Sequence, residues 1–377
     1  MTVGYRTTIL SALVLALASL GDAFLYPVLP VNAASMGVPL AWVGVLLSIN
    51  RFIRLAANQA FGWLFNTFGY RKITILSSVF AALSTLAYGL SATIFLWLAA
   101  RIIWGLCYSS LRISCIAYSL EGDKPGFKLG LSRGLQETGP ILALLIGPSL
   151  LKYLGPSQTF IMFSLLSVSA IVLAFYLPEL RQTKEQYAFS FNPIPSSFNS
   201  LVFLSALLVE GIIVVVIVKL LDSPATGLVE LTGIAAMYIG YRRLSNVFVS
   251  PIAGRIADLA GIERVFLIAL LLTIFSVVLI VTGSPSVGLI LAFTFQSITS
   301  ALSPAEASGN AESRLKTIAT NATWRDLGSA AGALTGGLLL KVNDLHFYML
   351  IATLLLFIAF ANHLIRKKQF KALAIWR

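Results

Sequence analysis

Gly62-Trp-Leu-Phe-Asn66-Thr-Phe-Gly69-Tyr-Arg71-Lys72 returns 192 residues later as Gly254-Arg-Ile-Ala-Asp258-Leu-Ala-Gly261-Ile-Glu-Arg264. Each copy closes a long apolar segment. The same offset lays Arg51 on Arg243 and Arg133 on Arg325, so one register serves two separated regions of the chain. That pattern argues for an internal duplication. All four arginines lie within hydrophobic segments, where a guanidinium at the bilayer centre costs about 2.5–3.5 kcal/mol even on the lenient insertion scale. Arginines placed there twice over point to function.

Of the 377 residues, 58% are hydrophobic and 11% charged, a composition too apolar for a water-soluble domain. Stretches of about 17–25 apolar residues can cross roughly 30 Å of hydrocarbon as helices. Twelve such stretches are found: 8–29, 41–64, 73–91, 94–118, 129–151, 159–178, 199–221, 229–253, 264–283, 286–304, 318–341 and 345–364. A polar break containing Arg181, Lys184, Glu185, Asn192, Pro193 and Pro195 divides them into two sets of six. The expected fold is therefore an all-α membrane protein of twelve transmembrane helices. Residues 1–178 form an N-terminal six-helix bundle, 179–198 a cytoplasmic linker and 199–377 a C-terminal six-helix bundle.

The net charge of +12 is read through its distribution rather than as a nucleic-acid signal. With the N-terminus inside, sixteen basic residues fall on cytoplasmic loops and ends, among them Arg71, Lys72, Arg181, Lys184, Arg264, Arg314, Lys368, Lys371 and Arg377. The opposite side holds only Lys152 and Lys341. This positive-inside bias places both termini in the cytoplasm, in a bacterial inner membrane. The first apolar run continues through Gly21-Asp22 to Pro27, which favours a membrane span over a cleavable leader. Cys107 and Cys115 lie eight residues apart on one helix, about 12 Å along its axis, beyond disulfide reach.

Spans 3, 6, 9 and 12 carry no Asp, Glu, Lys or Arg in their interiors, whereas spans 1, 2, 4, 5, 7, 8 and 11 each carry at least one. A charged side chain facing lipid is costly, so this period of three predicts an outer and an inner set of helices. Gly139-Pro140 and Gly147-Pro148 in span 5, and Gly328, Gly332, Gly336 and Gly337 in span 11, predict close backbone packing that lets the two halves slide or rock.

These motifs resemble the major facilitator superfamily of secondary transporters, whose signature after the second span is Gly-x-Leu-Ala-Asp-Arg-x-Gly-Arg-Arg/Lys. Gly62, Asn66, Gly69 and Arg71 match in the first half, and Gly254, Asp258 and Gly261 in the second. Asn66 replaces the usual aspartate, so a charged lock is expected from Asp258 alone. Arg101-Ile-Ile-Trp-Gly105 is similar to the Arg-x-x-x-Gly of proton-coupled members. The Gly-Pro pairs of span 5 resemble the antiporter motif, and Asp22 with Pro27 and Pro30 resembles an exporter motif. The resemblance implies two six-helix bundles related by pseudo-two-fold symmetry, with a central cavity and alternating access by rocking.

Span 2 presents Arg51, Arg54 and Asn58 on one helical face, and span 8 presents Arg242, Asn246 and Ser250 with Arg243 adjacent. At 1.5 Å per residue, Arg51, Arg242 and Arg243 lie about 15–20 Å from the outer ends of their helices, near the midplane. Guanidinium groups converging from both halves suit carboxylates or phosphates. Tyr238 and Trp324 each sit within a turn of an inward arginine and complete the expected substrate-binding set. The competing expectation is internal neutralisation, with Arg133 paired to Glu137 on its own helix and Arg325 and Asp326 partnered elsewhere. Arg112 and Lys219, near helix ends, are expected to snorkel. Proton coupling or gating is expected of Asp22 and Glu210, with Arg101 as a partner, and of Glu137, Arg133, Arg325 and Asp326. Arg133 and Arg325 are expected nearer the cytoplasmic ends.

No metal-ligand cluster, phosphate-cradling loop or nucleophile with a neighbouring base is present in the sequence, so neither an enzyme nor a cofactor is expected. The leading expectation is a monomeric, proton-coupled exporter of a small organic anion, such as a polycarboxylate siderophore, with membrane lipids as its surroundings. Alternatives are an importer or uniporter of an organic anion or metal–siderophore complex, a multidrug exporter, and, from another class, a membrane sensor or lipid-modifying enzyme.

Overall fold

A computed structural model describes residues 3–33, 35–90, 93–180, 195–221, 228–308, 314–340 and 344–375. Most of the expected linker, including Arg181, Lys184, Glu185, Asn192 and Pro193, lies outside the described residues, as do Lys341 and Arg377. So do the side chains of Pro30, Arg314, Lys368 and Lys371.

Every expected span falls on a helical stretch. The first is α1 (Val3–Ala18) and α2 (Leu20–Asn32), interrupted at Ser19, whose hydroxyl donates to the Leu15 carbonyl. Next come α3 (Leu40–Phe68), α4 (Tyr70–Leu90) and α5 (Ile94–Leu120). The fifth and sixth spans are α6 (Pro125–Gln136) and α7 (Thr138–Phe175), the latter bent back on itself at Gly155, whose φ of 77° a residue with a side chain rarely adopts. The seventh begins as α8 (Ser197–Ser205), passes through a π-helical segment (Ala206–Ile213) and ends as α9 (Val214–Leu220). The rest are α10 (Leu228–Ala260), α11 (Ile262–Val281), α12 (Pro285–Ser308), α13 (Arg314–Leu339) and α14 (Leu345–Ile375). Among the described residues, eight stretches are long and apolar enough to cross a membrane on length and composition alone. One of these, Pro125–Phe175, is the 51-residue double span. The charged helices α3, α10 and α13 fall outside that set, because their arginines and acids lower the local hydropathy.

The repeated motif now has a local cause. Its closing glycines, Gly69 and Gly261, adopt φ of 90° and 98° and turn the chain sharply from α3 into α4 and from α10 into α11. The expected outer helices differ as anticipated at the extremes: 28% of the apolar window on Leu345–Lys367 is buried inside the protein, against 72% on Gly4–Leu29. Between α4 and α5 the contrast vanishes, at 56% and 50%, so charge content does not by itself rank burial there.

The two halves meet on the side that carries the motif loops. Gly126, Gly130 and Gly134 line one face of α6, and Cβ atoms there would stand 2.6–2.8 Å or less from the carbonyl oxygens of Gly254, Ser250 and Val247 on α10. This face, rather than the Gly-Pro pairs, makes the close contact between bundles. Gly139 and Gly147 instead pack within the first bundle, against the Ala16 backbone and the Phe24 ring. Gly328 and Gly332 pack within the second, against the Phe203 and Leu207 carbonyls. On the far side, Cβ atoms added at Gly44, Gly240 and Gly337 would meet nothing within 4 Å.

A methyl group at Gly130 would strike the Ser250 carbonyl oxygen at 2.1 Å, a backbone atom that cannot rotate away. Gly130→Ala should destabilise the closed loop side by about 1–3 kcal/mol while leaving each bundle folded. With Cys107 and Cys115 replaced by serine and a reporter cysteine at buried Gln59, the expected result is faster thiol labelling than in the Gly130 parent at unchanged thermal stability.

Candidate functional site

Each acid expected inside the membrane meets an arginine, and the partners follow a simple geometric division. Two pairs lie within one bundle. Asp22 on α2 accepts a hydrogen bond from Arg101 on α5, whose Nε also donates to the Leu46 carbonyl at 2.7 Å and whose guanidinium faces the Tyr26 ring at 5.7 Å. Glu210, on the π-helical segment, receives Arg325 of α13 through Nη2 at 2.7 Å and Nε at 3.1 Å, with Gln296 of α12 adding a bond at 3.1 Å. A small cavity inside the second bundle, lined by Val202, Ala206 and Phe266 as well as by Ser205, Gln296 and Arg325, adjoins that pair. π-Helical turns widen a helix and recur at functional positions. Here the widened turn carries the acid.

The other two pairs cross between bundles. Glu137, at the α6–α7 junction, accepts from Arg243 Nη1 at 2.8 Å and Asn246 Nδ2 at 3.0 Å, both on α10, while its own-helix neighbour Arg133 stands at 3.5 Å. Asp326 on α13 accepts from Arg112 Nη1 at 2.9 Å and Asn58 Nδ2 at 3.0 Å, with Arg54 Nη2 at 3.7 Å. Gln59 of α3 reaches Thr320 and Thr323 of α13 in the same seam. Below it, the Asp258 carboxylate takes the backbone N–H groups of Gly126 and Phe127, both at 2.8 Å, capping the start of α6. An anion is favourable there, because a helix start presents unpaired N–H donors. Arg71 of the first motif copy donates to the Phe175 carbonyl at 2.6 Å and ties α4 to the end of α7, while Asn66 is partly buried at the loop end of α3.

The 192-residue register makes sense of this pattern. Arg243 and Asn246 correspond to Arg51 and Arg54, so the face that matters on α10 runs through Arg243 rather than Arg242. By the same offset Glu137 corresponds to Ser329 and Asp326 to Gly134. Arg51 is duplicated but the acid is not: each interface has one acid, displaced by about a turn of helix, and Arg112 and Asn58 correspond to Pro304 and Ser250. Arg51 is therefore the symmetry mate of an arginine that grips a carboxylate, and the position equivalent to that acid is a serine. Among the described residues, neither Arg51 nor Arg242 has a carboxylate within 4 Å. Both are partly buried on helices that face the seam.

One expectation is corrected, and three further residues are located. Arg112 does not snorkel: it is 8% exposed, lies well inside α5 and is bound to Asp326. Counting from the end of α5 at Leu120 places it about 12 Å deep, a signal the sequence carried. Arg325 lies well inside the described part of α13, bonded to Glu210 within the second bundle. Trp324 is 7% exposed, its ring edge-on to Phe203 in the second bundle, and Tyr238 packs against that bundle's apolar core. Lys219 behaves as expected of a residue at a helix end, its Nζ donating to the Leu339 and Leu340 carbonyls. Tyr108, which stacks beneath Arg54 with its ring centre 4.8 Å from the guanidinium carbon, is a participant that spacing did not single out.

Comparison with known proteins places this arrangement. The family model of the Major Facilitator Superfamily matches residues 11–223, and no curated protein matches the chain significantly. Solved structures share its fold from end to end. The human organic anion transporter MFSD10 (TETRAN) is 16% identical, with a TM-score of 0.75 over 96% of this chain and 99% of its own. The E. coli fucose:proton symporter FucP is 13% identical, with a TM-score of 0.75 over 96% and 97%. A bacterial homologue of the iron transporter ferroportin, in an outward-facing state, is 14% identical, with a TM-score of 0.68 over 95% and 98%. With more than half of its length matched by the family model, and with two helical bundles meeting along a charged seam, the chain belongs to the Major Facilitator Superfamily of membrane transporters.

Proposed function

We propose that this protein moves a small organic anion across the bacterial inner membrane by alternating access, outward and in exchange for protons. The observation that carries the reading is Arg51. Its symmetry mate Arg243 holds the Glu137 carboxylate, whereas Arg51 faces the seam with Ser329 at the equivalent acid position and no carboxylate within reach among the described residues. Arg242, on the opposite bundle, adds a second guanidinium with no carboxylate within 4 Å among the described residues, although Glu210 and Glu137 act on it from further away. Two such groups near the midplane favour an anionic cargo, and a flexible polycarboxylate such as a citrate-type siderophore has the charge to bridge them. An organic anion is also the cargo named for the human MFSD10 structure.

With the motif loops on the cytoplasmic side, as the distribution of basic residues favours, the tightly packed glycine face of α6 lies towards the cytoplasm. Both termini then lie in the cytoplasm. Proton exchange is assigned to Asp22 and Glu210. A carboxyl group beside an arginine gives up its proton readily, whereas one left alone in a low-dielectric interior retains it. The motion this requires is a helix shift within a bundle that draws Arg101 from Asp22 or Arg325 from Glu210, distinct from rigid rocking of the bundles. The chain acts as a monomer, each bundle supplying half of the binding site.

Purified protein in liposomes, challenged with organic anions with and without an imposed pH gradient, tests the reading. Arg51→Gln removes a charge-assisted contact of about 1.5–3 kcal/mol, so transport efficiency should fall roughly tenfold to a hundredfold while circular dichroism and thermal unfolding stay unchanged. Full transport in a folded Arg51→Gln protein would sink the basic-cavity proposal.

For coupling, Asp22→Asn and Glu210→Gln are compared in the same liposomes. At least one should lose accumulation driven by the pH gradient while retaining anion-for-anion exchange. Gradient-driven accumulation at the parent level in both variants would place the coupling site elsewhere.

A further inference from the structure

When two bundles rock apart, contacts within a bundle survive and contacts between bundles must break. Asp22–Arg101 and Glu210–Arg325 belong to the first kind, and Glu137 and Asp326 to the second. The consequences differ at the two seams. Glu137 leaves with its own helix neighbour Arg133, so it retains a cation. Asp326, by contrast, withdraws from Arg54 and Asn58 on α3 and from Arg112 on α5, all of which stay on the first bundle. Two guanidinium groups are then left side by side, while the acids described within that bundle's spans are held elsewhere, Asp22 by Arg101 and Glu137 by Arg133. Uncompensated buried charges of one sign are strongly unfavourable. The space vacated by Asp326 therefore calls for another anion.

The present occupant also fits imperfectly. Arg112 and Asn58 bond Asp326 at 2.9 and 3.0 Å, yet Arg54 reaches it only at 3.7 Å, and the Arg54 Nε is buried without a partner. The guanidinium plane is held instead by the Tyr108 ring, 4.8 Å away. A carboxylate tethered to α13 through one methylene cannot turn to take both arginine nitrogens. A free carboxylate can, and the fork-to-fork arrangement is the stronger one.

We propose that Arg54, Asn58 and Arg112, braced by Tyr108, form a carboxylate-binding site on the first bundle that Asp326 fills in this conformation and that a carboxylate of the transported anion takes when the bundles part. Asp326 is thus a built-in competitor of the substrate. Binding of the substrate at this site weakens the seam by the contacts it displaces, which ties occupancy to opening of the loop side. The substrate's identity as a carboxylate rests on the organic-anion reading above; the site itself rests on the four residues around Asp326.

Chemical rescue separates the two. Asp326→Ala leaves the three donors facing an empty space the size of a carboxylate, and the variant should unfold at a lower temperature than the parent. Sodium acetate at tens of millimolar should restore at least half of that loss in a saturable manner, with acetamide and sodium chloride giving none. Adding Arg112→Gln to the variant should abolish the rescue. Rescue equal in acetate and acetamide, or unaffected by Arg112→Gln, would overturn the site. If Asp326→Ala does not fold, Asp326→Asn decides through citrate binding: affinity at least tenfold above the parent is expected, and equal or weaker affinity overturns the site. Acetate rescue without carboxylate transport in liposomes would remove the organic-anion reading and leave the site; transport without rescue would do the reverse.

Discussion

An arginine within a bilayer must meet an anion or water, and the organisation of this transporter follows from meeting that requirement for more arginines than there are acids. Asp22, Glu137, Glu210 and Asp326 each hold at least one guanidinium. Because no pair of charges can be left facing lipid, the helices that carry them turn inward. Spans without charge in their apolar stretch, such as the part of α14 before Arg366, are left to cover the outside. The layered arrangement of the bundles is thus a consequence of electrostatics in a low-dielectric medium as much as of apolar packing.

The same requirement divides the ion pairs by task. Pairs inside a bundle are untouched by rigid rocking and part only when helices shift within that bundle, and the π-helical turn around Glu210 sets its acid against Arg325 and Gln296 at once. Pairs across the seam are latches. They cooperate with the glycine face of α6, where backbones approach too closely for any side chain, and with Asp258 capping the start of α6. A closed seam made of both kinds of contact is specific but breakable. Ionic contacts can be exchanged for a ligand's, and glycine contacts bury little that must be pulled from an apolar environment.

Duplication supplies the asymmetry on which a binding site depends. An acid at position 329, where Glu137 stands in the other half, would give Arg51 the kind of partner that Arg243 has. Instead each interface keeps a single acid, at positions displaced by a turn, and Arg51 is left without a carboxylate within 4 Å among the described residues. The imbalance between two nearly equivalent halves is what leaves charge available for a cargo.

Much of this was legible in the chain itself. Length and hydropathy determine the helices, because a membrane span must satisfy its own backbone. The offset of 192 residues determines the two-bundle plan, and the turns at Gly69 and Gly261 follow from the one residue type that tolerates their φ. The depth of Arg51, and the inability of Arg325 and Asp326 to pair with each other, were also present in the spacing. Partner identity was not. Nothing local tells that Asp326 meets Arg112 and Asn58, more than two hundred residues earlier in the chain, that Glu137 prefers Arg243 to its helical neighbour Arg133, or that Trp324 is buried against Phe203. Helical periodicity fixes the face on which a side chain lies, and only the packing of one bundle against the other decides which opposite charge comes within bonding distance.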